Sequence, residues 1–357
     1  MVARSCFFVM CCACLALVPS PANAQFTATR LSENLSYAYA VRGGIVGGFI
    51  INTIVDPVIW PVPGGPPLSL WSPAVGGGRI LAMTETHQFG EGGPGAAMWA
   101  GTASSMVSLH PVGAETSSIL AASSTRQGGW MNFPGQEYQA ALWSGTASSV
   151  VSLQPPGAIN SRVLAMTESH QGGFVRYPGQ PGQGNPTHAV MWSGSASSLI
   201  DLHPAGYATS GILGMFEDQQ VGSATAGGTT RAGMWFGTPE SFRSLHPFSD
   251  GLSVANATCG SAQVGWMNSV GLGSAGVRAV IWFGTAESVM DLSQFLPPGY
   301  GQSIATCVEE RNGVFTVGGY VRYGTTDQAF VWTGVPAPGT TMVLIPLAPL
   351  NRRRRDP

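Results

Sequence analysis

The chain has 357 residues, 49 of them Gly and 26 Pro, with 44% hydrophobic and only 10% charged residues. That mixture is too apolar for a disordered chain, and its turn formers call for many short elements. All 16 basic residues are Arg, four of them in the tail Arg352 to Arg355, and residues 25–334 hold 17 Asp or Glu against 11 Arg, a balance that argues against a nucleic-acid partner.

Residues 1–24 carry Arg4, an apolar run from Cys6 to Val18, Pro19 and Pro21, and then Ala22-Asn23-Ala24 before Gln25. This is the plan of a secretory signal peptide. The run is about 13 residues, against the roughly 20 of a spanning helix, so export is expected, with a membrane anchor as the alternative. Cys11, Cys12 and Cys14 would leave with the peptide, and Cys259 and Cys307 remain.

From there one repeat governs the chain. The segment from Ala141-Leu142-Trp143 to Gln154-Pro155 recurs around Trp60, Trp99, Trp192, Trp235, Trp282 and Trp332, at steps of 39 to 50 residues. A period in the forties fits a four-stranded unit. Apolar runs such as Ile80-Leu81-Ala82-Met83 and Val163-Leu164-Ala165-Met166 form a second signature. Gln-x-Gly forms a third, at Gln88, Gln127, Gln171, Gln220 and Gln263, with Val46-Gly47 and Val317-Gly318 as weaker echoes. Short apolar runs bounded by Gly, Pro, Ser or Asn read as strands joined by tight turns, and no stretch has helical periodicity. A single such sheet cannot bury both faces, so neighbouring copies must pack on each other and close into a ring. The expected fold is all-β: one β-propeller of about seven four-stranded blades over residues 25–334. The tryptophans fill the blade interfaces, and the glycine after each, Gly101 to Gly334, makes a turn. The leading strand of the degenerate first copy is expected near Phe26 to Leu31; six blades plus an N-terminal arm is the alternative.

The runs His188-Ala189-Val190-Met191-Trp192 and Ala329-Phe330-Val331-Trp332, with Asp201-Leu202 and Asp291-Leu292, resemble secreted bacterial proteins with HAF-type repeats. The resemblance covers about residues 36–334. It implies a propeller-like repeat protein and carries no shared catalytic set. Residues 335–357, with Val335-Pro336-Ala337-Pro338-Gly339, an apolar stretch from Thr340 to Leu350 and the four arginines, resemble the PEP-CTERM sorting signal, with Ala337 at the place of that family's Glu. This resemblance implies processing by an exosortase and release toward the cell envelope or extracellular matrix. A basic tail touching acidic surfaces is the alternative.

Candidate chemistry is sparse. His110, His203 and His246 hold equivalent places before a Pro or Pro-Phe turn, where a strand-end hydrogen bond competes with lining one mouth of the ring. Glu85-x-His87 and Glu168-x-His170 have the spacing that puts two side chains on one strand face. Glu217, Asp218, Glu309 and Glu310 fall nearby in later copies, so one rim is expected to be acidic and to bind sugar hydroxyls or Ca²⁺. Cys259 and Cys307, in neighbouring copies, are expected either to form a disulfide after export or to stay as buried thiols. No nucleophile elbow, His-Glu-x-x-His or phosphate loop is present. The expected function is a binding or scaffolding module directed at polysaccharide or a surface protein. A glycosidase or lyase working at the acidic rim is the rival, and a purely structural envelope role the third reading.

Overall fold

Each copy of the repeat folds as an antiparallel meander, because its apolar runs alternate in burial and its breaks carry residues that turn. In the strand Asn160–Met166, for example, Ser161, Val163 and Ala165 are buried while Asn160, Arg162 and Leu164 between them are partly exposed. The structure, a computed structural model, describes residues 25–73, 76–179 and 184–336. The leader expected at 1–24 and the tail from residue 337 lie outside them. Among the described residues no helix is long and apolar enough to cross a membrane.

The strands form five four-stranded sheets and one eight-stranded sheet. The last is two meanders joined by the single parallel pair Thr187 and Thr209. Numbered 1 to 7 in chain order, the meanders occupy residues 35–69, 78–108, 116–152, 160–201, 209–244, 252–291 and 300–335. The first strand of each faces a central channel. Seven clusters of buried apolar side chains lie one at each junction, including that between meanders 7 and 1, so the ring is closed. The arrangement is a β-propeller.

Closure differs from the expectation in one element. Gln25–Arg30 does not lead the first meander, whose own first strand is Leu35–Arg42. It pairs antiparallel with Thr326–Val335, from Gln25 opposite Val335 to Arg30 opposite Phe330. The reason lies in the last copy. In meanders 2 to 6 the chain turns after Trp-x-Gly through a single 3₁₀ turn such as Ala147–Ser149 and supplies its own fourth strand. Meander 7 runs on as strand through Gly334 and leaves an open edge, which Gln25–Arg30 covers while burying Phe26. Gly334 is therefore no turn: a Cβ there would lie 2.1 Å from the Gln25 carbonyl oxygen.

Side-chain hydrogen bonds explain the other motifs. The Gly194 N–H after Trp192 donates to Gln171 Oε1 at 2.8 Å, and meanders 2, 3, 5 and 6 repeat the bond. In the Thr-Ala-Ser-Ser turn Ser149 Oγ accepts from Ser144 N at 2.8 Å and donates to Thr146 O at 2.7 Å. In every meander but the second, a buried serine on the first strand stitches it to the one before: Ser161 Oγ accepts from the Ala140 N–H, and Ser210 Oγ from that of Ala189, both at 2.9 Å. At the junction of meanders 1 and 2 the partner position is Pro57, which has no N–H, and Gly78 stands where the serine would be.

Candidate binding site at the hairpin rim

The turns joining first to second strands lie at one end of the ring, and they carry Glu85, His87, Glu168, His170, Glu217 and Asp218. Glu85 and His87 lie in the bend 84–87, and Glu168 and His170 in the bend 167–170, not on strands. The shared strand face expected for each pair is thus absent. Backbone bonds close the bends instead: Thr167 N donates to His170 O at 2.9 Å, and His170 N to Thr167 Oγ1 at 3.2 Å.

The carboxylates divide by what they touch. Glu168 accepts from the Ser124 N–H at 2.8 Å and the Ser124 hydroxyl at 2.9 Å, so it grips the equivalent turn of meander 3. These bonds, the backbone one foremost, hold its carboxyl below the usual value. The same bonds favour the ionised form of Glu168, which acts here as a hydrogen-bond acceptor between the two turns. Glu309 and Glu310 lie on the strand Tyr300–Arg311 rather than in a turn. Glu309 is buried, accepts from the Gly43 N–H at 3.0 Å and ties meander 7 to meander 1. Glu310 accepts from the Ser261 hydroxyl of meander 6.

Four of the expected rim residues do come together. A cavity of about 620 Å³ between meanders 4 and 5 is lined by Glu168, His170, Glu217 and Asp218, with Phe236 and Met191 as apolar wall. Glu217 and Asp218 form the tight turn between Thr209–Phe216 and Gln219–Ala226, with Glu217 at a φ of 49°. Glu85, His87 and Glu309 belong to other meanders and stand outside it. Phe236 went unnoticed in the sequence reading. Its signal is the residue after Trp, where Phe replaces the Ala100, Ser144 and Ser193 of other copies. Among the described residues no group of three or more His, Cys, Asp or Glu is arranged to hold a metal ion.

The histidines of the three Leu-His-Pro runs, His110, His203 and His246, serve the stitching. His203 Nε2 donates to Tyr207 O at 3.0 Å, since a carbonyl only accepts, and Nδ1 accepts from Ser210 Oγ at 2.7 Å. His110 and His246 repeat the bridge, and Gln154 replaces it in meander 3 with Nε2 on Ala158 O and Oε1 on Ser161 Oγ. The neutral Nε2–H tautomer satisfies every partner. Burial pushes His203 and His246 below the ordinary imidazole value of 6.5, and the neighbouring His188, stacked at 4.0 Å, adds to the effect at His203. With folded values below unfolded ones, the unfolded chain takes up protons first as pH falls below about 6.5. Stability is therefore full above that value and lost as pH drops through the folded values. The double variant His203→Gln with His246→Gln, copying Gln154, is expected to lose less stability between pH 7 and pH 5 than the unaltered chain in urea unfolding. Equal losses would refute the assignment.

Cys259 and Cys307 are free thiols. Cys307 is packed among residues at the junction of meanders 7 and 1, and Cys259 against the cluster between meanders 6 and 7, so different interfaces hold them. Burial raises both, Cys307 to about 12, which leaves it unreactive.

No family model matches the sequence, and no curated protein matches it. Solved structures do. The β-propeller domain of the Trilobed protease from Pyrococcus furiosus aligns with a TM-score of 0.55 at 8% identity, covering 84% of this chain and 96% of that one. That domain is described as having an open velcro topology, whereas here Gln25–Arg30 is hydrogen-bonded to the last sheet. A puromycin hydrolase complexed with PGG gives 0.55 at 8% identity, covering 81% of this chain and 50% of that one. Likeness at this identity is one of fold. With the closed ring of interface clusters, it makes the chain a β-propeller repeat protein.

Proposed function

We propose that this chain is an exported, envelope- or matrix-associated binding module whose ligand is polysaccharide, held in the cavity between meanders 4 and 5. The observation that carries the reading is the pairing of Phe236 with Glu217 and Asp218 around about 620 Å³. A sugar ring offers an apolar C–H face that an aromatic side chain covers, and hydroxyls that donate to carboxylates. Binding pockets commonly join such an apolar wall to a few placed polar groups. The leader at 1–24 and the PEP-CTERM-like tail support export and exosortase-type processing, with a surface protein as the other partner class.

The test is a thermal-shift titration of the full chain with the host's exopolysaccharide. A ligand that binds only the folded state adds about 2.7 kcal/mol at 100 times its Kd. A saturable shift is expected, with about tenfold weaker binding in Asp218→Asn and in Phe236→Ala. No shift, or one that both variants leave intact, would overturn the assignment to this cavity.

A further inference from the structure

The first strand of every meander carries a β-bulge at one equivalent place, where the register skips a residue. Bulges re-aim a side chain, and here all seven bulged residues line the central channel, a cavity of about 520 Å³ at the hub of the ring. The bulged residues sort around the ring by chemistry. Four consecutive meanders, 2 to 5, put Leu81, Leu120, Leu164 and Leu213 there. The next three, 6, 7 and 1, put Asn256, Thr306 and Tyr39, with the Tyr320 ring beside them. The channel thus has an apolar half and a polar half, and its lining holds no Asp, Glu, Lys, Arg or His.

The polar half has unused hydrogen-bonding capacity. Asn256 Nδ2 donates to Ala305 O at 2.8 Å, and its Oδ1 takes no hydrogen bond from the described residues. The Tyr39 and Tyr320 hydroxyls likewise have no hydrogen-bond partner among them. Burial raises both phenols, Tyr320 to about 12, so both stay protonated and able to donate. We propose that the channel binds an uncharged lipid-like small molecule, its apolar body against the leucines and a hydroxyl or carbonyl against Asn256, Tyr39 and Tyr320. The volume lies within the roughly 300–1,000 Å³ of small-molecule sites. An ionised ligand is disfavoured, because a charge entering this lining would lose its water without meeting a charged group in it; Arg79, Arg322 and Asp327, which act on the two phenols, do not line the channel and carry opposite signs.

The site is separate from the rim cavity, so it stands or falls independently of polysaccharide binding. The full chain would be titrated with the neutral fluorophore Nile red and competed with 1-decanol, decane or decanoate at pH 8. Saturable fluorescence is expected, displaced by decanol at concentrations at least about tenfold below those of decanoate. Tyr39→Phe with Tyr320→Phe keeps both rings in place and should weaken decanol about fivefold, the effect of one lost hydrogen bond, without changing decane. Leu120→Gln with Leu164→Gln, both partly exposed positions, should weaken decanol and decane alike. Absence of saturable binding, equal competition by decanol and decanoate, or unchanged binding in correctly folded Phe and Gln variants would each overturn the proposal.

Discussion

Trp192→Ala is expected to destabilise the protein by about 3–5 kcal/mol, the cost of deleting a large, fully enclosed aromatic side chain. Trp192 has no exposed surface and belongs to the cluster that joins meanders 3 and 4. Around it are Ala140, Leu142 and Leu153 from one side and Val163, Val175 and Val190 from the other. These residues sit on paired strands whose hydrogen bonds fix their spacing, so they collapse little into the space left behind. In a closed ring a weakened junction has no free end at which to fray. The loss should therefore appear as a lower urea midpoint with an unchanged slope, the mark of a single cooperative unit. A loss below about 1 kcal/mol would show that the ring does not depend on this contact. A reduced slope would show that meanders 3 and 4 separate before the rest unfolds.

The repeat was legible because its determinants are local. Trp143 and Trp192, the Thr-Ala-Ser-Ser turn and the Leu-His-Pro run recur in register, and each recurrence reports the same strand of the same unit. The N-terminal strand was not, since nothing near Phe26 states which edge it will cover. Its partner, Val335, is 310 residues away. The identity of that partner follows from what is missing at the end of the last copy, a fourth strand after Gly334, and not from anything in residues 25–30. The rim misled for a related reason. A spacing of two places Glu168 and His170 on one face only in a strand, and four residues of hairpin bend break that rule. Which carboxylates share a cavity was decided by the twist and packing of meanders 4 and 5, to which a linear pattern is blind. The channel was hidden as well: Leu164 reads as one apolar residue in an apolar run until the bulge turns it toward the axis.

The second large effect concerns the Gln-x-Gly motif, where two adjacent glycines separate two kinds of constraint. Gly173→Ala is expected to cost about 3 kcal/mol or more, the upper range for overpacking, while Gly172→Ala costs about 1–2 kcal/mol. A Cβ on Gly173 would sit 1.9 Å from the Arg162 carbonyl oxygen and 3.0 Å from its carbon, which are backbone atoms of the paired strand. Relief would require moving the first strand at its bulge, where Val163 pairs with Gly173 and Ala165 with Gly172. A Cβ on Gly172 meets instead the Met215 sulfur at 2.4 Å and Ile212 Cγ2 at 2.9 Å, side-chain atoms of the next meander. A thioether on an unbranched chain swings aside at modest cost. A Cβ on the equivalents Gly90, Gly129, Gly222 and Gly265 would likewise lie within 2.0 Å of a first-strand carbonyl oxygen, so Ala at any of them should behave as at Gly173. The weaker echoes in the first and last copies conform once shifted by one residue, to Gly48 and Gly319, at 1.9 and 2.1 Å. Urea unfolding of Gly172→Ala beside Gly173→Ala checks the ranking. Because the bulge aims Leu164 into the channel, the Gly173 variant should also weaken Nile red binding there, whereas a variant as stable as the unaltered chain would mean that the close approach is not what the motif serves.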